Sequence, residues 1–436
     1  MKKQKNVAKF GGSSVANISA INKCMHILNT HSDIKIVVVS AQSGVTNLLE
    51  DLTTSNLKNY ETIIAKIHEI ISPIAQYIDQ EAFIYFKTSI KELELICQNT
   101  YINPSVKIKD QILSFGERIS AYLFTQILRK NAIPARYVDA RKIIKTNSDF
   151  TKAKPSIENI RLAAENDLYL ESDEIIILGG FIGSNESNET TTLGRGGSDY
   201  SAALIAEAIG SKLLYIWTDV AGVYQADPRL IPTSKVIKKL NFAEASELSS
   251  FGAKVLHPAT LQPAIRKNIE VFIGSTFYPE KGGTWVSNIK KEKKSIIRAI
   301  TERKEQILIT IKNLDLSKTP DIYTIFEKYH ININLVNVTD TIVSFTINQN
   351  IEHLEKKLIN DLNYLLDNCE ISIEKNLSLT AIIGNNLNKI PKLPNKIANI
   401  IDQSNIKLSN YTPNGNSLYL VTNNKNILEK IYKTLF

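Results

Sequence analysis

The segment TTLGRGGSDYSAALIA at residues 191–206 carries the strongest chemical signal in the sequence. Glycines at 194, 196 and 197 lead into a helix predicted to begin near Ser198, so free backbone N–H groups and the positive helix end are available to an anion. Arg195 offers a planar fork that suits a carboxylate. Asp199 falls in the first helical turn, where an acid is usually a cap or a dipole partner; beside a lysine it becomes a catalytic candidate.

A second glycine segment, VAKFGGSSV at residues 7–15, joins a strand to a cation. Gly11 and Gly12 have no Cβ, so their backbone N–H groups can approach phosphate oxygens, and Lys9 supplies a positive charge beside them. The spacing of a Walker A loop, GxxxxGKS or GxxxxGKT, is absent. Taken alone, the segment fits a glycine turn beside a surface lysine better than a phosphate site.

Two shorter segments add hydroxyl and carboxylate groups. VSAQSGVTNLL (39–49) places Ser40 and Thr46 just beyond a buried strand, where both could hydrogen-bond a substrate and Thr46 could instead cap the next helix. In SFGERIS (114–120), Glu117 suits an ammonium group; its alternative role is a helix-surface ion pair with the arginine that follows it. Neither segment decides the function by itself.

Two further loops carry groups that suit a nucleotide. WTDVAGVYQADPRL (217–230) follows a buried strand and offers polar groups for base and ribose, a ring for packing and an arginine for phosphate, although ADPR also fits a proline turn. In SFGAKVLHPATL (250–261), Lys254 follows a glycine in another polar connection, and His257 is expected to pack or cap rather than act as a base. The nucleotide candidates of the first loop are Thr218, Asp219, Tyr224, Asp227 and Arg229.

The elements that must position these groups follow an α/β pattern. From residue 7 to about 290, short β-branched runs alternate with longer helical stretches, which is typical of an α/β sandwich with a mainly parallel sheet. Continuously apolar strands such as EIIILGG are expected to be buried on both faces, with polar loops at their carboxyl ends, where open sheets bind ligands. The clearest strands are IKIVVVS (near 35–40), EIIILGG (174–180), KLLYIWT (212–218) and VFIG (271–274).

The C-terminal part contains an internal repeat. The first copy has ILITIKN at 307–313, a helix ending near Tyr329, the strands ININLVNV and IVSFTI, and a helix from about 351. The second copy has LSLTAIIGNN at 377–386, a helix around 392–404, NIKLSNY, SLYLVT and a helix from about 425 to 434. The repeated βαββα order predicts two small α+β modules.

The composition excludes several classes of protein. A chain of 436 residues with 43% hydrophobic residues is expected to form two or three domains. The net charge is +8, but the lysines are spread among acids, so no nucleic-acid partner is expected. The three cysteines lie far apart, which predicts neither a disulfide framework nor a zinc site and favours the cytoplasm. No membrane span or signal peptide is expected, because no apolar run approaches ~20 residues.

The six glycine-containing and loop segments described above, in their order along the chain, resemble the amino acid kinase family and, within it, the aspartate kinases. The resemblance covers nearly the whole chain, because the C-terminal repeat resembles the paired ACT regulatory domains of those enzymes. It implies a three-layer α/β sandwich with a mainly parallel sheet, followed by two α+β ferredoxin-like ACT domains. The implied limits are 1–295 for the catalytic domain, with a helical substrate-side subdomain at about 45–110, then 303–375 and 376–436 for the ACT domains.

The resemblance also assigns roles residue by residue. The implied catalytic residues are Lys9, Asp199, which would orient that lysine, and Lys254. The implied aspartate-binding residues are Ser40, Thr46, Glu117 for the amino group, Arg195 for a carboxylate, and Ser198. The implied ATP contacts are Lys9, Phe10, Gly11, Gly12, Ser13, Thr218, Asp219, Tyr224, Asp227, Arg229, Lys254 and Val255. Trp217 stands where the family often has a smaller residue, so a small difference in base packing is expected.

The implied reaction transfers the γ-phosphoryl group of ATP to the side-chain carboxylate of L-aspartate, giving 4-phospho-L-aspartate. A carboxylate with a pKa of ~3.9 is ionised at neutral pH and needs no general base, which agrees with the lack of a catalytic histidine in the motifs. Mg²⁺ is expected to arrive with the nucleotide, without a separate protein metal site. The product would enter the biosynthesis of lysine (through diaminopimelate), threonine and methionine.

Regulation by an amino acid, with lysine favoured, and a homodimer or higher homo-oligomer built through the ACT domains are also implied. The expected effector residues are Asn332, Asn334, Thr339 and Asp340. Asn334 stands where lysine-sensitive relatives have an aspartate. Two alternatives remain: another amino acid kinase, with glutamate or N-acetylglutamate as acceptor, and a non-catalytic amino-acid sensor. The sensor should have lost Lys9, Arg195 or Asp199, and all three are present.

Overall fold

The computed structural model describes two compact units. The first comprises the described residues within 1–223, 236–249 and 254–290, and the second those within 224–235, 250–253 and 291–436. No helix in the described part of the chain is long and apolar enough to cross a membrane. The residues described are 5–54, 59–100, 105–169, 173–251, 258–289, 296–348, 354–366, 369–391, 393, 396–397, 400, 406–424 and 426–436.

A mainly parallel sheet forms the centre of the first unit. Its strands are, in chain order, β1 (Asn6–Phe10), β2 (Ile34–Val39), β3 (Ala135–Tyr137), β4 (Ile175–Gly179), β5 (Ile182–Ser184), β6 (Thr190–Thr192), β7 (Leu213–Thr218), β8 (Lys239–Asn241), β9 (Glu270–Ser275) and β10 (Gly283–Ser287). Eight of them form one sheet in the order β3-β4-β2-β1-β7-β9-β10-β8, while β5 and β6 pair as a hairpin. Among the described pairs of the eight-stranded sheet, only β9 and β10 are antiparallel, so the predicted mainly parallel α/β fold is confirmed.

Helices connect these strands. They are α1 (Ile18–Thr30), α2 (Val45–Thr54), α3 (Tyr60–Ile78), α4 (Gln80–Thr100), α5 (Val106–Lys130), α6 (Ala140–Ile143), α7 (Ile157–Asp167), α8 (Gly197–Ala208), α9 (Phe242–Ser250) and α10 (Pro258–Lys267). Helix α5 begins after Ser105, whose side chain accepts a hydrogen bond from the Ile108 N–H, and ends in Arg129 and Lys130, which suit the negative helix end. Helices α2 to α4 occupy the region predicted to be helical.

Continuous apolar strands explain why the polar groups lie at the strand ends. Every residue of β1 and β4 is buried, as expected for parallel strands covered on both faces. Phe10, the last residue of β1, is 0% exposed and its ring lies 6.1 Å from that of Phe124 in α5. Because the side chains along these strands fill the core, the polar groups of the site are expected at and beyond the carboxyl ends of the strands.

The second unit contains one antiparallel sheet. Its elements are β11 (Ile296–Lys312), α11 (Thr319–Lys328), β12 (Ile333–Val338), β13 (Ile342–Asn348), α12 (Glu355–Leu365), β14 (Glu370–Asn385), β15 (Ile406–Tyr411), β16 (Ser417–Thr422) and α13 (Ile427–Leu435). The strand order is β12-β13-β11-β14-β16-β15. The helix predicted around 392–404 falls largely outside the described residues.

Two hydrophobic clusters divide this unit into the two predicted α+β modules. One cluster joins Ile309 of β11 to Phe326 and Phe345, and the other joins Ile300 of the same strand to Leu420 of β16. The long strand β11 therefore serves both modules, and the second module takes part of its sheet from residues that precede the first. The sequence-derived limits 303–375 and 376–436 do not include that strand segment, and as limits they stay predictions.

Candidate functional site

A cavity of about 500 Å³ opens in the first unit beyond the carboxyl ends of β1, β2 and β4. Its wall includes four cationic side chains, on Lys9, Lys109, Lys152 and Arg195, and three acidic ones. Such a lining suits an anionic ligand that also carries a positive group. The sequence-predicted residues that line the cavity are Lys9, Ser40, Thr46, Glu117, Arg195, Ser198 and Asp199.

An ion pair joins two of the catalytic candidates. The Lys9 Nζ lies 2.7 Å from Oδ1 of Asp199, and both side chains are largely buried, at 11% and 16% exposure. Lys9 is in β1 and Asp199 is in the first turn of α8, so the parallel sheet and its crossover helix bring them together. The pairing of the two opposite charges offsets part of the cost of removing each of them from water.

The first glycine loop is shaped by close packing. A Cβ on Gly12 would lie 2.7 Å from the carbonyl oxygen of Ala41, so a larger residue would displace the loop after β2. The Gly11 N–H donates to the carbonyl of Trp217, 3.0 Å away. Although the sequence suggested that both glycine amides face phosphate, the Gly11 amide is used within the sheet, and the Phe10 ring lies in the core. Of this segment, Gly12 and Ser13 begin a 3₁₀ turn over Gly12–Val15.

The second glycine loop requires left-handed backbone. Gly194 and Gly196 have φ angles of 76° and 71°, a conformation that side chains with a Cβ rarely adopt. Gly196 is the N-cap of α8, which begins at Gly197, one residue before the predicted start. Arg195 is exposed between these two glycines and lines the cavity. The positive end of α8, a helix of 12 residues, therefore borders the same cavity as Arg195.

A glycine pair at the end of β4 lets two site helices approach the sheet. A Cβ on Gly179 would meet the Glu117 backbone at 2.8 Å, and one on Gly180 would meet the Ser198 Cα at 2.6 Å. These glycines therefore set how closely α5 and α8 pack around the cavity. The strand is evident from the sequence, but the role of these two glycines is not.

Glu117 is a buried acid in an otherwise polar site. Its residue is 3% exposed and its Oε2 has no hydrogen-bond partner among the described atoms. Burial raises its pKa from 4.5 to about 7, against the opposing effects of a backbone hydrogen bond from Ala41 and of the Lys9 charge. The alternative role considered for Glu117, a surface ion pair with Arg118, is not formed; Arg118 lies 3.5 Å from Glu92 instead.

Several lining residues were not found from the sequence. Lys109 and Leu113 precede Glu117 at intervals of four on α5, so helical periodicity could have placed them on the same face. Thr46, which the sequence did identify, is the second residue of α2 and so lies inside that helix rather than at its N-cap. Glu50 follows Thr46 by four residues on α2, so helical periodicity could have placed it as well. Thr192 ends β6, and the positions of Thr151, Lys152 and Phe181 depend on loop packing that no local pattern reveals.

Most of the predicted nucleotide contacts that the structure describes do not line this cavity. Thr218 ends β7 and Asp219 follows it, and neither lines this cavity; the Thr218 hydroxyl donates to Asp219 Oδ1 at 3.0 Å. Lys254 and Val255 lie outside the described residues. Trp217 is 1% exposed and packs against Tyr215 and Phe272, so its indole is part of the core rather than a base contact.

The remaining nucleotide candidates, Tyr224, Asp227 and Arg229, belong to the second unit. The Arg229 Nη2 lies 2.6 Å from Oδ2 of Asp227, two residues before it. In this structure the guanidinium therefore binds its own neighbour. Among the described residues, no three His, Cys, Asp or Glu side chains are grouped so that they could hold a metal ion.

Of the four effector candidates, Asn334 lies in strand β12 of the second unit, Asn332 immediately precedes that strand, and Thr339 and Asp340 follow it. Asn334, near the start of β12, accepts a hydrogen bond from Arg303 and donates to Gln306 and Asn348. Thr339 and Asp340 lie in the turn beyond the end of β12, so more than about 15 Å of strand separates them from Asn334. The structure does not bring the four together within one chain.

Both the sequence and the fold of this chain match those of known proteins. The profile of the amino acid kinase family matches residues 4–275. The chain is 35% identical to the lysine-sensitive aspartokinase 3 of Escherichia coli K12, over 99% of both chains. It resembles the crystal structures of E. coli aspartokinase III in complex with aspartate and ADP (R-state; TM-score 0.89) and with lysine and aspartate (T-state; TM-score 0.83), each at 33% identity and covering 99% of this chain and at least 99% of the other. The chain therefore belongs to the amino acid kinase family and, within it, to the ATP-dependent aspartokinases.

Proposed function

We propose that this chain transfers the γ-phosphoryl group of ATP to the side-chain carboxylate of L-aspartate, giving 4-phospho-L-aspartate. The observation that carries the proposal is the cavity that combines buried Glu117, exposed Arg195 and the Lys9–Asp199 pair. An α-amino acid presents one ammonium and one α-carboxylate to such a site. The side-chain carboxylate then remains free to react.

The two ends of the substrate would be held by opposite charges. The unpartnered Oε2 of Glu117 suits the ammonium group, since a buried carboxylate gains most from a charged partner. Arg195 suits the α-carboxylate through two parallel N–H···O hydrogen bonds. Ser40, Thr46 and Ser198 line the same cavity and supply polar contacts.

The chemistry requires positioning and charge stabilisation rather than a base. The attacking carboxylate is already ionised, so no proton has to be removed from it. Lys9 would stabilise the negative charge on the transferred phosphoryl group, while Asp199 holds its ammonium in place at 2.7 Å. The amino end of α8 adds N–H groups directed to the same anion.

We also propose that ATP binds with Mg²⁺ carried by its phosphates. The cationic cavity wall suits that nucleotide, and Mg²⁺ would neutralise part of the developing charge. Gly12, Ser13, Thr218 and Asp219, all at the same edge of the sheet, are proposed contacts. The full set from the sequence, including Lys254 and Val255, stays a prediction.

Inhibition by lysine is the proposed regulation, supported by the similarity to a lysine-sensitive relative. Asn334 is neutral and is already bonded to Arg303, so it offers an effector's ammonium group less attraction than an aspartate would. The Asn334→Asp variant should therefore be inhibited at lower lysine concentrations than the wild type. Equal inhibition curves for the two proteins would remove this residue from the effector site.

We further propose a cytoplasmic homodimer or larger homo-oligomer that supplies the lysine, threonine and methionine pathways. The test of oligomeric state is light scattering after size-exclusion chromatography, with and without lysine. A monomer at micromolar concentration under both conditions would contradict the proposal.

The function itself is tested by ATP- and Mg²⁺-dependent phosphorylation of L-aspartate, trapped as the hydroxamate, with L-glutamate and N-acetyl-L-glutamate as alternative acceptors. Lysine, threonine and methionine are then added singly. Turnover with aspartate but not with the longer acceptors is expected. No turnover with aspartate, in a protein that binds ATP, would refute the proposal.

A further inference from the structure

A second carboxylate on α5 is bonded to two parts of the cavity wall. Asp110 is 0% exposed, and its Oδ2 accepts hydrogen bonds from the backbone N–H groups of Thr151 at 2.8 Å and of Thr192 at 2.9 Å. Its Oδ1 accepts from the Thr192 hydroxyl at 2.8 Å. Asp110 does not line the cavity, but both of its partners do.

These contacts connect the two substrate-holding groups of the site. Thr192 is the last residue of β6 and comes three residues before Arg195, at the entrance of the left-handed glycine loop. Glu117 lies seven residues after Asp110 on the same helix, a separation of about 10 Å along its axis. Helix α5 thus carries Glu117 directly and holds the loop of Arg195 through Asp110.

We propose that Asp110 is a positioning residue that sets the span between Glu117 and Arg195 and thereby makes the site select aspartate over longer acidic amino acids. The inference rests on the proposed function. Glutamate has one more methylene than aspartate, so its reacting carboxylate would be displaced by about 1.5 Å if the ammonium and α-carboxylate are held at a fixed span. A displacement of that size costs roughly 100-fold in rate. If the loop were free to move, the site would adapt to the longer molecule.

The test distinguishes the effect of losing the Thr192–Asp110 hydrogen bond from the effect of destabilising strand β6. Thr192→Val removes the hydroxyl bond to Asp110 at nearly constant volume, and Thr192→Ser keeps a hydroxyl. Thr191→Val is the matched control, because the Thr191 hydroxyl is equally buried on the same strand but bonds to Thr146, at 2.7 Å, and does not line the cavity. All three are compared with the wild type for thermal stability and for kcat and KM with aspartate, glutamate and ATP.

Thr192→Val is expected to raise the KM for aspartate about tenfold and to lower the preference for aspartate over glutamate by a similar factor, with the KM for ATP changed less than about twofold. Thr192→Ser should restore both values. Thr191→Val should lose thermal stability without changing either. If Thr192→Val behaves like Thr191→Val, with lower stability but wild-type KM and acceptor preference, the inference is wrong.

Direct substitution provides a second measurement. Asp110→Ala removes all three bonds and should raise the KM for aspartate by roughly 10- to 100-fold. Asp110→Asn can turn its oxygen to the two N–H groups and its NH₂ to the Thr192 hydroxyl, so it should recover most of that loss. A folded Asp110→Ala protein with wild-type KM and preference would overturn the inference. Absence of aspartate phosphorylation by the wild type would instead refute the proposed function, and this inference with it.

Discussion

Replacing Glu117 by glutamine gives the most direct test of the site's electrostatics. The carboxyl has a pKa of about 7 in the folded protein and 4.5 when unperturbed. Between those values the folded state holds a proton that the unfolded chain has released, so the free energy of unfolding falls as the pH rises through this window. Above pH 7 the loss is complete and amounts to about 3 kcal/mol.

Glutamine keeps the shape of this side chain and cannot titrate. We therefore expect Glu117→Gln, relative to the wild type, to gain about 3 kcal/mol in unfolding free energy on going from pH 4.5 to pH 8, in the absence of ligands. Urea unfolding at these pH values measures it. Glu189→Gln is the control with the opposite expected sign. The pKa of the Glu189 carboxylate is lowered, chiefly by the hydrogen bond from Lys107, so removing this carboxylate should lower the free energy of unfolding at pH 8. A pH-independent difference between Glu117→Gln and the wild type would refute the pKa argument.

The affinity for aspartate should also change with pH as the Glu117 carboxyl titrates. The ammonium of aspartate pairs with ionised Glu117, so the dissociation constant should rise up to tenfold for each pH unit below 7 and level off above it. Glu117→Gln should bind aspartate weakly at every pH. Isothermal calorimetry between pH 5.5 and 8 measures both proteins. A wild-type affinity that stays constant across this range would show that Glu117 does not hold the ammonium.

Three further predictions concern turnover, substrate binding and packing. Lys9→Ala should lower kcat by at least 10²- to 10³-fold; the protein should stay folded but melt at a lower temperature, because Asp199 loses its partner in a largely buried ion pair, and a near-normal kcat would exclude the lysine from the reaction. Arg195→Ala should raise the KM for aspartate about 10- to 100-fold, since it loses a charge-assisted hydrogen-bond pair; an effect on kcat alone would contradict the carboxylate role. Gly180→Ala should destabilise the fold by about 1–3 kcal/mol and impair turnover, because its Cβ would lie 2.6 Å from the Ser198 Cα; unchanged melting and kinetics would show that α8 can shift freely.

Much of the fold could be read from the sequence because its signals are local. Continuous apolar strands followed by glycine or polar residues predicted a mainly parallel sheet with its ligands at the carboxyl ends, and the cavity lies there. The repeat predicted two α+β modules, although the shared strand β11 was not foreseen, since a strand that serves two modules has no distinct local pattern. The start of α8 was predicted to within one residue, because glycine at the N-cap and an acid in the first turn mark it.

The sequence by itself determined which residue types the site contains and the order of the elements that carry them, because glycine spacing, helix starts and apolar runs depend on neighbours along the chain. Only the tertiary structure decided their partners. It paired Lys9 with Asp199, used the Gly11 amide inside the sheet, and placed Asn334 and Thr339 at opposite ends of one strand. It also buried Glu117 and so raised its pKa to about 7. Burial and hydrogen-bond partners arise from segments distant in the sequence, and no local pattern encodes them.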